Sequence, residues 1–223
     1  MEFVIRNAIA ALDTHSQWIL WNLFLAFIPL VLSLFLFRWH RGSRSVMWWL
    51  ALVVFIAFLP NAPYLLTDII HLIRATRSGY SSWVLVVFVI PIHLTAIFLG
   101  IEAYVLSVLN QGHYLRRQGA GQFLIPAELL THALCAVGVY LGRFIRFNSW
   151  DLVTRPDMVL LTTVNELTSE RPLIVMFVTF VMLTVSYWLL KQLTIGLLLR
   201  VRYARQGRDV FEDALGYGSS HSG

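Results

Sequence analysis

Charged residues are scarce in this sequence. Only 13% of its 223 residues are Asp, Glu, Lys or Arg, whereas 58% are hydrophobic. A water-soluble domain of this size cannot cover its surface with so few charges. The composition therefore excludes an ordinary soluble protein and indicates a chain that lies in a membrane.

Cysteine is nearly absent, since Cys135 is the only one in the chain. A single thiol forms no intramolecular disulfide and builds no cysteine metal site. The sequence also lacks a basic patch interleaved with aromatic residues, so we expect no nucleic-acid partner. No motif points to a particular cofactor, and none predicts a metal centre.

Long apolar runs take the place of polar surface. A helix needs about 20 mostly apolar residues to cross a hydrocarbon core of about 30 Å. Runs of that length occupy residues 18–37, 46–66, 82–109, 123–142 and 172–199. The sequence therefore predicts an all-α fold, a polytopic bundle of five transmembrane helices (spans one to five) over residues 18–199, which lies in a lipid bilayer.

The distribution of arginine predicts the orientation of the bundle. The segments after spans one, three and five are basic, with Arg38, Arg41, Arg44, Arg116, Arg117, Arg200, Arg202, Arg205 and Arg208. By the positive-inside rule these segments are cytoplasmic. Residues 1–17 are then an extracytoplasmic segment, and residues 200–223 form a cytoplasmic tail with a disordered end. The connection 143–171 lies outside, where we expect a short helix on the membrane surface.

The stretch "FLPNAPYLLTDIIHL", residues 58–72, interrupts span two with polar residues. Asn61, Tyr64, Asp68 and His71 follow at helical spacing, which places them on one stripe. Pro60 predicts a break in the second helix near Pro60-Asn61, after which Asn61 would cap a new start. A break inside a membrane requires protein or a water-filled cavity beside it. The alternative is a simple kink with its polar residues in interfacial water.

A second polar run, "GVYLGRFIRFNSWD", residues 138–151, leaves span four on the same side. Its Arg143 and Arg146 should reach the level of Asp68, where they pair with that carboxylate or together clamp an anion. Asn148 and Asp151 have the spacing of a capping box. The alternative is that the arginines extend toward water and the box only starts a helix.

Three stretches of the chain, "WNLFLAFIPL", "FLPNAPYLLTDIIHL" and "GVYLGRFIRFNSWD", resemble in the same order the bacterial membrane proteins of the domain of unknown function 1361 family. The resemblance covers roughly residues 18–200. It implies a small integral membrane protein of bacteria, and so a multi-pass protein of the inner membrane. It implies no activity and assigns no role to any residue.

Further ionisable residues lie within the predicted spans: His93, Glu102, Glu128 and His132. Such groups are costly in lipid and indicate function by default. Their positions along the helices predict that His93 and His132 share one depth and that both glutamates lie near the cytoplasmic edge. Three interpretations remain open: a hydrogen-bonded pair of Glu128 with His132, a proton or ion path, and a zinc or iron site.

These patterns support three functional hypotheses. The first is binding or transport of a small anion or polar solute through an outer vestibule, with the buried ionisable residues completing a path inward. The second is an intramembrane enzyme acting on a lipid head group or lipid-linked substrate, with Asp68 and His71 as an acid–base pair and Arg143 and Arg146 holding phosphate. The third is an assembly factor for another membrane complex. The predicted vestibule residues are Asn61, Tyr64, Asp68, His71, Arg143, Arg146, Asn148 and Asp151.

Overall fold

Long helices make up most of the computed structural model, which describes residues 2–40 and 42–207, with side chains from residue 16 onward. The end of the predicted cytoplasmic tail lies outside these residues. In chain order the α-helices are α1 (Glu2–Ser33), α2 (Val46–Phe58), α3 (Asn61–Tyr64), α4 (Ile69–Thr76), α5 (Ser82–Val84), α6 (Ile90–Arg117), α7 (Leu124–Tyr140), α8 (Asp151–Thr154), α9 (Pro156–Leu167) and α10 (Glu170–Arg205). Shorter π-helical turns occupy Leu34–Trp39, Leu85–Val89 and Leu141–Ile145, and 3₁₀ turns occupy Leu65–Asp68 and Gly121–Phe123.

Five stretches of the described chain are long and apolar enough to cross a membrane. They are span one (Ser16–Trp39), span two (Val46–Thr76), span three (Ser82–Arg117), span four (Gly121–Ile145) and span five (Glu170–Arg205). The prediction of an all-α membrane bundle with five transmembrane helices is confirmed.

Small polar residues and glycine mark the ends of the spans. The Ser45 hydroxyl accepts a hydrogen bond from the amide of Trp48, and the Ser81 hydroxyl accepts one from Val84, so both serines cap helix starts. Gly119 has a φ of 75°, the left-handed conformation that ends a helix and that glycine adopts without strain. Spans two and three therefore begin, and span three ends, at residues that favour a helix boundary.

Span three is the centre of the bundle, because it packs against spans one, two, four and five. Its Tyr104 is fully buried within the main apolar core. Gly100 lets span two approach so closely that a Cβ there would lie 2.6 Å from Leu65 Cδ1. Span five, in contrast, is mostly exposed and contacts the rest along one face.

The break in span two lies where the sequence predicts it, although the role assigned to Asn61 is wrong. Leu59 and Pro60 form a turn between α2 and α3, yet both keep right-handed helical dihedrals. The span therefore bends there and does not unwind. The Ala62 amide donates to Leu59 O, which leaves the Phe58 carbonyl without its usual helical donor. Asn61 Nδ2 donates to that carbonyl at 2.9 Å. Asn61 therefore satisfies an acceptor freed by the bend, and it does not cap amides at a new helix start.

Candidate functional site

Arg143 joins the polar ends of spans two and four. Its Nη1 lies 3.3 Å from the Tyr64 hydroxyl, 3.4 Å from His71 Nε2 and 3.6 Å from Asp68 Oδ1. Its Nη2 donates to the Thr67 carbonyl at 3.3 Å, and its guanidinium lies 5.7 Å from the centre of the Tyr64 ring. The structure thus brings together three residues of the predicted stripe around one arginine of the second polar run.

Asp68 lies behind Arg143 and is buried, with 3% of its surface exposed. Its Oδ2 accepts from Asn22 Nδ2 at 3.5 Å, whereas Oδ1 receives no hydrogen bond from the described residues and faces Arg143. A buried carboxylate needs such a cation to remain ionised. Asn22 was missed in the sequence, although it lies within "WNLFLAFIPL"; an amide among apolar residues was its only signal.

Trp18 of span one connects this cluster to span three. Its ring centre lies 4.8 Å from that of His71 and 5.6 Å from that of His93.

His132 lies at a different depth from His93. It contacts Tyr104, which lies about 16 Å further along α6 than His93 at 1.5 Å per residue. The prediction that His93 and His132 share one depth is therefore wrong, because distances counted from the ends of the spans ignored the long helical extension of span three.

A cavity of about 920 Å³ opens beside Arg143 between the ends of spans one, two and four. We call it the Arg143 cavity. Its polar lining combines three arginines with other polar side chains, namely Arg74, Arg143, Arg146, Asn22, Asn61, Tyr64, His71, Asn148, Ser149 and Thr163. Asn61 Nδ2 donates to the Ser149 hydroxyl at 2.9 Å, which ties span two to the connection after span four. No Asp or Glu is among the described residues that line it.

Exposed apolar side chains form much of the remaining wall of the Arg143 cavity. They include Trp21, Ile56, Leu134, Phe144, Trp150 and Leu152. From Leu134 to Arg146 the lining follows span four for about 18 Å, at 1.5 Å per residue. The cavity is therefore a groove with a basic end and apolar sides that face outward from the bundle.

Arg146 has an unusual backbone conformation at the basic end of the groove. Its φ of 65° and ψ of 32° are left-handed, and among the described residues it is the only non-glycine with a positive φ. This conformation costs an arginine roughly 1 kcal/mol, which glycine would avoid. Strain of this kind is common at functional sites, so the side chain of Arg146 is a candidate for a ligand contact.

Asp151 was predicted in the vestibule, but it does not line the cavity. Its Oδ2 accepts from the Asn148 amide at 2.7 Å, and its Oδ1 lies 2.7 Å from Arg155 Nη2. These contacts, the Asn148 amide first, hold the pKa of Asp151 below its ordinary value. One hydrogen bond of the predicted capping box therefore forms, the one from the Asn148 amide to the Asp151 carboxylate. Asp151 stabilises the start of the connection after span four, outside the cavity.

The two glutamates within the bundle bind span five. Glu128 Oε1 accepts from Tyr187 at 2.7 Å and from Lys191 Nζ at 2.6 Å, while Glu102 accepts from Thr194 at 2.7 Å. His132 Nδ1 hydrogen-bonds the hydroxyl of Tyr104. Of the three open interpretations, the hydrogen-bonded pair of Glu128 with His132 does not form, because Glu128 accepts from Tyr187 and Lys191 and His132 bonds Tyr104. Lys191 was missed, and its signal was a lone lysine within an apolar run, four residues after Tyr187.

A close-packed layer separates these residues from the Arg143 cavity. At Gly138 a Cβ would lie 2.5 Å from Pro60 Cγ, and at Gly100 one would lie 2.9 Å from the Ala62 carbonyl oxygen. Spans two, three and four thus touch through small and apolar residues at this level.

The described side chains contain no group of three or more His, Cys, Asp or Glu residues arranged to hold a metal ion.

Comparison with known proteins identifies a family. Residues 21–185, well over half of the chain, match the family of proteins of unknown function DUF1361. No curated protein and no solved structure matches the chain. The chain belongs to the DUF1361 family.

Proposed function

We propose that this member of the DUF1361 family binds an amphipathic anion, a lipid or lipid-linked molecule with a phosphate group, in the Arg143 cavity. The proposal rests on one observation: three arginines and exposed apolar side chains line the same groove. The phosphate would lie against Arg143 and Arg146, and the apolar part along the side of span four. A small polar solute would leave those apolar walls without a partner.

The charge of the groove favours an anion. Arg74, Arg143 and Arg146 line it, and Asp68 behind them balances only one of the three. Guanidinium groups bind phosphate oxygens through paired hydrogen bonds, which gives both orientation and strength. An anionic head group therefore supplies the charge that the described lining residues lack.

Transport and catalysis receive less support. The packed layer at Pro60 and Gly138 separates the groove from Glu128, so a transported solute would need the helices to move apart. Catalysis by Asp68 and His71 requires contact with the substrate, yet Asp68 is buried behind Arg143 and does not line the groove. Binding of an amphipathic ligand requires neither movement nor acid–base chemistry.

We also propose that the protein lies in a bacterial inner membrane, with its N-terminus outside and its basic ends in the cytoplasm. In a variant without Cys135, Ser43→Cys should react with an impermeant thiol reagent only from the cytoplasmic side. Ser78→Cys should react only from outside. The opposite labelling pattern would refute this orientation and leave the binding proposal untouched.

Lipid analysis of the purified protein tests the binding proposal. The full chain would be purified in a neutral detergent, and native mass spectrometry would identify what remains bound. Wild type should retain a phosphate-bearing amphiphile. Arg146→Gly removes the side chain and relieves the left-handed strain, so it should fold at least as well while retaining about tenfold less ligand, the loss of one charged hydrogen bond.

Two controls sharpen this test. Arg77→Gln removes an exposed arginine beside span two that does not line the groove, and it should retain ligand like wild type. Long-chain phosphatidic acid should displace the bound molecule, whereas glycerol 3-phosphate, which lacks acyl chains, should not. Displacement by both compounds alike would favour a small anion as the ligand, and equal retention by Arg146→Gly would refute the role of Arg146.

A further inference from the structure

A second basic cavity lies at the opposite end of the bundle, about 24 Å from Asn22 along span one at 1.5 Å per residue. We call it the Arg117 cavity. It encloses about 900 Å³ between the loop after span one and the end of span three, and its charged and aromatic lining comprises Arg38, Arg44, Arg117, His40, His113 and Tyr114. Its position and lining separate it from the Arg143 cavity.

The Arg117 cavity concentrates positive charge without a carboxylate. None of its described lining residues is Asp or Glu, and no ion pair in the described chain involves Arg38, Arg44 or Arg117. The cations Arg143, Arg155 and Lys191 each have a carboxylate within 4 Å. Three neighbouring guanidinium groups repel one another unless an anion lies among them. An anion from outside the described chain would offset this repulsion.

Each arginine is held in place through one nitrogen. Arg38 Nε donates to Asn110 Oδ1 at 2.7 Å, and Arg44 Nε donates to the Tyr114 hydroxyl at 2.9 Å. Arg117 Nη2 donates to the carbonyl of His40 at 2.9 Å. No hydrogen bond to another described residue uses the terminal nitrogens of Arg38 or Arg44. The anchoring therefore orients two guanidinium groups and leaves their terminal donors for a ligand.

Buried groups make this arrangement rigid. Asn110 is 5% exposed, and its amide nitrogen donates to the fully buried Ser33 hydroxyl at 2.9 Å. Tyr114, 8% exposed, has the guanidinium of Arg44 5.7 Å from its ring centre and that of Arg117 at 5.5 Å. One aromatic ring thus contacts the guanidinium groups of two arginines. Pre-organisation of this kind lowers the entropic cost of binding an anion.

We propose that the Arg117 cavity binds a phosphate group, carried by an anionic lipid head group or by a free phosphate compound. Planar guanidinium groups fit the oxygens of phosphate in pairs, and converging donors suit a tetrahedral anion with several acceptors. Arg38, Arg44 and Arg117 contact the anion, and Tyr114 positions two of them.

Ligand-dependent thermal stability tests this site, because it separates binding from any change in basal stability. The full chain in neutral detergent would be melted with sodium phosphate, against sodium chloride at equal ionic strength. It would also be melted in mixed micelles that contain phosphatidylglycerol, against phosphatidylcholine. Arg116→Gln is the matched control for Arg117→Gln, because both remove one exposed arginine from adjacent positions of α6 and only Arg117 lines the cavity.

Wild type and Arg116→Gln should be stabilised equally by at least one phosphate source, and Arg117→Gln should lose most of that shift. Arg44→Gln should lose it as well, which guards against a variant that simply folds badly. Stabilisation by phosphatidylglycerol alone identifies a lipid head group, and stabilisation by inorganic phosphate as well identifies a general phosphate site. The absence of any shift in wild type, or equal loss in Arg116→Gln and Arg117→Gln, would overturn the proposal.

Discussion

The two ends of the bundle place arginine against a tyrosine ring, yet only one end supplies a carboxylate. Arg143 lies over Tyr64 and faces the buried Asp68. Arg44 and Arg117 lie on Tyr114 with no carboxylate in the described lining. The comparison teaches that the same aromatic scaffold serves two electrostatic designs, one in which a buried carboxylate pairs with one of three arginines and one with no carboxylate in its described lining.

Irregular helical turns carry arginines at both ends. Arg143 lies in the π turn Leu141–Ile145, and Arg38 lies in the π turn Leu34–Trp39. A π turn inserts an extra residue into a helix and is frequently found at functional sites. Both proposed anion sites therefore lie beside irregular turns at the ends of the spans.

The largest predicted effect concerns the end of the bundle that contains the Arg143–Asp68 pair. Arg143→Gln removes the cation and leaves the Asp68 carboxylate buried, so it should destabilise the protein by about 3 kcal/mol. Asp68→Asn together with Arg143→Gln should recover much of that loss, because the unpaired charge is then absent. Chemical unfolding in detergent measures both effects. Equal stability of the single and double variants would show that the two side chains do not interact.

The second prediction tests the packed layer between the two ends. Gly138→Ala places a methyl group against the ring of Pro60 and should cost about 2 kcal/mol through overpacking. It should also weaken ligand retention in the Arg143 cavity while leaving phosphate-dependent stabilisation at the Arg117 cavity intact. Gly196→Ala is the control, because nothing lies within 4 Å of a Cβ there. A similar loss in both variants would contradict close packing at Gly138.

The spans and the bend in span two could be predicted from the sequence, since hydropathy and proline act locally. Helical spacing alone also places Tyr64, Asp68 and His71 on the side that meets Arg143. The actual partner of the Phe58 carbonyl could not be predicted, because it depends on which amide shifts its hydrogen bond at the bend.

Contacts between residues far apart in sequence could not be predicted from local patterns. Glu128 binds Lys191, which is 63 residues away, and no spacing rule connects two helices so distant in sequence. The arginines of the Arg117 cavity were visible only as an indicator of orientation, because their convergence requires the loop after span one to fold against α6. Sequence therefore identifies which groups are unusual, whereas packing decides which of them meet.

A third prediction concerns salt, which should act differently at the two ends. Repulsion among exposed arginines falls as ionic strength rises, so salt should stabilise wild type by about 0.5 kcal/mol through the Arg117 cavity. Arg44→Gln should reduce that gain, because one of the repelling charges is gone. The double variant of Asp68 and Arg143 should keep it. Unfolding at low and high sodium chloride measures the difference, and identical salt responses in all three proteins would contradict the unbalanced charge.

The smallest predicted effect lies outside both cavities, at Asp151. Its pKa is depressed in the folded protein, so its contribution to stability is present above the unfolded value of 3.8 and is lost as pH falls through the folded pKa. Wild type should therefore exceed Asp151→Asn in melting temperature at pH 7, and the difference should shrink as the pH falls below 3.8. Asp157→Asn, the loss of a nearby exposed acid, controls for net charge. A difference between wild type and Asp151→Asn that persists unchanged in acid would mean that Asp151 acts through packing and not through its charge.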